Sequence, residues 1–115
     1  MEIKIVRDEI LLSEVKKLAQ DIYGDMVKGV VDIDQGVFAL GGEMHADAEA
    51  VLLKEGCQQK TLWGFNVYPD QPRDQWIQYQ SLINIRPSQG NRSMEIQDVD
   101  VRERVAKIVN QKIKN

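Results

Sequence analysis

The chain has 115 residues, 43% apolar and 29% charged, with a formal net charge of −3 and a single cysteine, Cys57. That is enough for one domain with its own core, and it excludes a disulfide framework or a thiolate metal cluster. No apolar run approaches the roughly 20 residues of a membrane span, and MEIKIVRDEI lacks the apolar stretch of a signal peptide, so a soluble cytoplasmic protein without membrane contact is expected.

In chain order, EIKIVR alternates apolar and polar residues, and Ile3 and Ile5 share a side, which predicts a short strand. Ser13 stands where a helix N-cap belongs. Val15, Leu18, Ala19 and Ile22 follow at helical spacing, and Gly24 suits the left-handed residue beyond the last turn. MVKGVVDI and GVFAL are β-branched and apolar, and Asp34-Gln35-Gly36 between them suits a hairpin. GGEMHADAEAVLLKEG reads as a turn and then a helix closed by Gly56.

TLWGFNVYP and QWIQYQSLINIRP read as the strongest strands, joined by a short linker and therefore antiparallel. Keeping both apolar sets on one face places Val67 opposite Ile77 and Phe65 opposite Tyr79. Asn66 and Tyr68 then share the other face with Trp76, Gln78, Asn84 and Arg86. Asp100 and Glu103 have the spacing of a capping box, and Val101, Val105, Ile108, Val109 and Ile113 form the stripe of a final helix.

The element order is β-α-β-β-α-β-β-α over residues 1–115. It predicts an α+β domain with an antiparallel or mixed sheet of four to five strands and helices mainly on one face. The first six elements match the ferredoxin-like order.

Residues 1–59 carry twelve acidic and six basic side chains, and residues 60–115 carry six and nine. The basic excess is dispersed along the last helix, where cations near the C-terminus favour the dipole. Dispersed charge and a negative total argue against nucleic acid as a partner.

INIRPSQGNRS, residues 83–93, crowds amide, hydroxyl and guanidinium groups around a Pro-Gly turn. Arg86 and Arg92 are suited to a bidentate grip on phosphate or carboxylate, and Asn84, Gln89, Asn91 and Ser93 both donate and accept. Asn66 and Tyr68, on the neighbouring strand, extend the polar surface. The same groups would equally serve to satisfy buried backbone where a strand ends. Glu43, His45 and Asp47 form the second candidate, a histidine between two carboxylates at i−2 and i+2, suited to holding a divalent cation or to acid–base work if the segment is extended. The competing reading makes His45 or Asp47 the N-cap of the following helix. One histidine and no cysteine partner leave no metal site to assign.

GDMVKGVVD, GGEMHADAE, LWGFNVYP and INIRPSQGNRS together resemble a small uncharacterised prokaryotic family, one of the domains of unknown function, over nearly the whole chain. The resemblance implies that Glu43, His45, Asp47, Trp63, Asn66, Tyr68, Asn84, Arg86, Gln89, Asn91 and Arg92 belong to the family pattern. It brings no activity and no cofactor with it.

Two functional readings follow. One is a binding module for a small phosphate- or carboxylate-bearing ligand at the 84–93 loop, with hydrolysis if the 43–47 turn lies beside it. The other is a protein-interaction module or homodimer anchored on Tyr68, Trp76 and Arg86, residue types that favour interfaces.

Overall fold

A computed structural model describes residues 2–115. Strand β1 (Ile3–Val6) and the two-residue β2 (Ile10–Leu11) precede helix α1 (Leu12–Ile22). The hairpin β3 (Val27–Asp32) and β4 (Val37–Gly41) leads into α2 (His45–Lys54) and then β5 (Leu62–Val67). A two-residue β6 (Ile77–Gln78), helix α3 (Val99–Lys112) and a short β7 (Ile113–Lys114) follow.

The main sheet has the order β1-β4-β3-β5-β6, with every neighbouring pair antiparallel. β1 therefore runs parallel to β3 with β4 between them, and β4 parallel to β5 with β3 between them, so the connections through α1 and α2 are split β-α-β crossovers. The two helices lie on opposite faces of the sheet, unlike the expected arrangement with helices mainly on one face. A separate parallel pair joins β2 to β7.

Alternation assigns the two faces. Val27, Val31, Phe38, Leu40, Phe65 and Val67 point to one side, where α1 and α3 cover them with Val15, Leu18, Val105 and Val109. Val30, Val37, Ala39 and Leu62 point to the other, against Ala48 and Leu52 of α2. Two of the three helices therefore share a face, and α2 sits alone on the opposite one. Gly29 lies under the Phe65 ring, where a side chain would collide with Phe65 and Leu40.

The β3–β4 hairpin follows its local chemistry. One Asp32 carboxylate oxygen accepts the N–H groups of Asp34 (2.9 Å) and Gln35 (3.1 Å), and Gly36 takes φ of 71°. Helix caps depart from the expected positions. Leu11 is held extended by pairing with Lys114, so α1 starts at once and Ser13 lies inside it. For α3 the cap is Asp98, two residues earlier than expected, and its carboxylate accepts from Asp100 and Val101.

The larger departure lies in residues 79–87. Val67 does pair with Ile77 and Asn66 with Gln78, but the ladder stops there. The chain then makes a 3-10 turn at Leu82–Asn84, where a continuous strand is expected, and a second at Pro87–Gln89, where the Pro-Gly turn is expected. Trp76 has helical backbone angles, φ −64° and ψ −40°, which break the alternation. Its indole turns into the core on the α1/α3 face, donating to the Gln71 carbonyl at 2.8 Å. Arg73 stacks on it at 4.1 Å and donates to the carbonyls of Asn110 and Ile113, tying the end of α3 to the sheet.

Candidate functional site

Every second residue of an edge strand turns its N–H and C=O outward. In β5 these are Leu62, Gly64 and Asn66, and only Asn66 meets β6. The other two are served by side chains from the polar segment. The Asn84 amide donates to the Gly64 carbonyl (3.0 Å) and accepts the Gly64 N–H (2.8 Å), with a further bond to the Met94 carbonyl. The Arg86 guanidinium donates to the carbonyls of Leu62, Gln59 (2.9 Å) and Ile83 (3.0 Å). It lies over the Trp63 ring at 4.9 Å and 3.8 Å from the Glu49 carboxylate. Burial pulls its pKa down and Glu49 pushes it back up.

Asn91 holds the returning chain. Its Nδ2 donates to the carbonyls of Asn84 (2.8 Å), Ser93 (2.9 Å) and Glu95 (3.1 Å), and its Oδ1 accepts the Gln97 N–H. Asn84, Arg86 and Asn91 are all buried. Their polar groups face inward, contrary to the expected outward-facing cluster. Gln89 donates to the Lys60 carbonyl, Ser93 accepts from the Glu95 N–H, and the Arg92 side chain is exposed. The depression over this segment is walled by Glu49, so an entering anion would meet a carboxylate.

A second concavity, about 240 Å³, opens on the α2 face between the start of α2 and residues 80–83. Lys28, His45 and Asn66 stand in it with Met44, Leu82 and Met94. Lys28 and Asn66 are direct cross-strand partners between β3 and β5, so their side chains rise from the same face. Lys28 also lies over the Tyr23 ring at 5.1 Å, and the Tyr23 hydroxyl donates to the Glu43 carbonyl.

Asn66 is 6% exposed. Its Nδ2 donates to Gln78 Oε1 (2.9 Å) and to the Gln80 carbonyl (3.2 Å), while its buried Oδ1 has no partner. His45 is the first residue of α2, and its Nε2 donates to the Phe65 carbonyl at 2.9 Å. Burial lowers its pKa, opposed by the bond to Phe65 and by the adjacent Asn66 side chain and helped by the nearby Lys28 charge. The ring is therefore neutral near pH 7, with Nδ1 as an acceptor.

Glu43 and Asp47 do not serve this imidazole. The helix begins at His45, so the three residues are not in one extended run. The Asp47 carboxylate accepts the Met44 N–H (3.2 Å), completing the helix cap, and Glu43 is exposed. Tyr68 is half-buried and donates to Gln78 at 3.4 Å. With Trp76 and Arg86 buried, the expected Tyr68/Trp76/Arg86 surface does not form. The 43–47 turn faces residues 80–83 and Met94 across the cleft, and Glu49, further along α2, approaches Arg86.

Sequence reasoning missed Lys28, Gln80 and the apolar rim of the cleft. A lone lysine within MVKGVVDI was a visible signal, because a strand buried on both sides gives a cation room only at an opening. Among the described residues, no group of three or more His, Cys, Asp or Glu side chains is placed to hold a metal ion, and no helix is long and apolar enough to cross a membrane.

No curated protein and no solved structure matches the chain. The model of a family described as a protein of unknown function, DUF5674, matches residues 4–112, and the chain belongs to that family.

Proposed function

We propose that this domain binds a small anionic ligand, and that its seat is the cleft at the start of α2 instead of the 84–93 loop. The observation that carries the reading is the buried, unpartnered Oδ1 of Asn66 beside Lys28 and the first turn of α2. An acceptor without a donor inside a protein costs about 1–3 kcal/mol, a cost that a ligand hydrogen bond removes. Lys28 supplies positive charge, and the leading N–H groups of a helix have no partners within it. The loop is a poorer seat, because Asn84, Arg86 and Asn91 already spend their donors on backbone carbonyls. Hydrolysis forms no part of the proposal, since neither Glu43 nor Asp47 pairs with His45.

Thermal unfolding with acetate, short-chain carboxylates and inorganic phosphate tests this. A ligand at about 100 times its Kd adds about 2.7 kcal/mol of stability. Lys28→Met should remove the effect, and Arg92→Ala should leave it. The opposite pattern would return the site to the loop.

A further inference from the structure

We infer that the ligand of the α2 cleft is an α-amido carboxylate, a carboxylate whose α-carbon carries an acylated N–H, as in an N-acyl amino acid or the last residue of a peptide. This rests on the binding reading above and names its substrate class.

Four features of the cleft select that chemistry. Asn66 can offer only an acceptor, because both hydrogens of its Nδ2 are held by Gln78 and the Gln80 carbonyl. The ligand must therefore bring a donor to Oδ1. Lys28 rises directly opposite Asn66 on the neighbouring strand. A cationic donor, such as a free ammonium group, would be repelled there, whereas an amide N–H is neutral. The same lysine and the start of α2 attract an anion next to that donor. Met44, Leu82 and Met94 are exposed apolar side chains on the rim, suited to a hydrocarbon side chain.

Size agrees: a compact cleft of about 240 Å³ suits one acylated residue. Capture of a carboxylate by backbone donors, with a side chain in an apolar recess, is an established way of recognising a chain end.

Titration of the isotopically labelled protein followed by NMR decides the matter. The probes are N-acetyl-leucine, its N-methyl derivative, its carboxamide, leucine, 4-methylpentanoate, and a short peptide ending in leucine. N-acetyl-leucine or the peptide should shift the amide signals of Ala46 and the side-chain amide of Asn66. N-methylation should weaken binding by about tenfold or more, the loss of one hydrogen bond to a buried acceptor. The carboxamide should bind weakly, and Lys28→Met should reduce binding of the parent. Binding of the peptide alone identifies a chain end as the source, and binding of both identifies the acyl amino acid unit itself.

Equal binding of 4-methylpentanoate and N-acetyl-leucine, both dependent on Lys28, would overturn the amide inference and leave the anion site standing. No Lys28-dependent shift with any probe would overturn both.

Discussion

The Asn84 side chain stands where a strand would otherwise pair with Gly64, exchanging two hydrogen bonds with its backbone as a neighbouring residue in a ladder would. Asn84→Ala leaves a buried N–H and C=O without partners and should cost about 3 kcal/mol. Asn84→Asp should cost at least as much, because a carboxylate keeps the bond to the Gly64 N–H but faces the carbonyls of Gly64 and Met94. Chemical denaturation at neutral pH measures both.

Arg86 spans three carbonyls with one planar group, which an ammonium cannot reproduce. Arg86→Lys should lose about 2–4 kcal/mol. Glu49→Gln should lose only about 1 kcal/mol, since the carboxylate stands 3.8 Å away and the carbonyls carry most of the pairing. Equal losses in the two variants, read from denaturant midpoints, would reverse that ranking.

Gly64 and Ser81 share one space. A methyl group at position 64 would overlap the Ser81 side chain and lie 3.1 Å from Ile83 Cγ1. Gly64→Ala should destabilise by about 1–3 kcal/mol. Adding Ser81→Gly should recover part of that loss, so a double-mutant cycle should give a coupling of about 1 kcal/mol or more.

His45 is held neutral by burial, with Lys28 adding to the effect. Its folded pKa lies below the unfolded value of 6.5, so below that pH the unfolded chain binds the proton more readily. Stability should fall as pH drops through about 6.5 and stop falling, on this account, once the folded pKa is passed. His45→Gln should flatten that part of the profile. A carboxylate bound beside Lys28 should raise the His45 pKa, observable from its ring proton shifts.

Burial and the neighbouring Asp32 push the Cys57 thiol up from 9.0 to about 11. The folded chain keeps the proton that the unfolded chain releases, so this contribution is intact below pH 9.0 and is lost as pH rises toward 11. Thiol labelling at about pH 8 should be slow in the native protein and fast in denaturant. Cys57→Ala should remove the alkaline sag in stability.

The hairpin at Asp32–Gly36 and the Val67–Ile77 register were legible because each depends on chemistry within a few residues. Residues 79–87 alternate as convincingly as a strand, yet they turn away. The reason lies far along the chain, in Gly64, which lets Ser81 come close, and in Asn84 and Arg86, which find carbonyls about 20 or more residues back. Trp76 lies on the face opposite to the one its alternation predicts, because one residue with helical angles reverses a two-residue period. The polar crowding at 84–93 was plain in the sequence. Whether it faced solvent or backbone was decided by long-range partners that no local pattern contains. The cleft itself joins three distant segments, 28, 44–46 and 66, with 80–83 and 94.

Closure of β5 by side chains orders events at the ribosome. Residues 62–67 emerge before 84 and 86, so for about twenty residues of synthesis the nascent ribbon carries open rungs that another copy can fill. Sealing follows only when Asn84 and Arg86 arrive, and any lesion at those two positions should show first as clumping during expression.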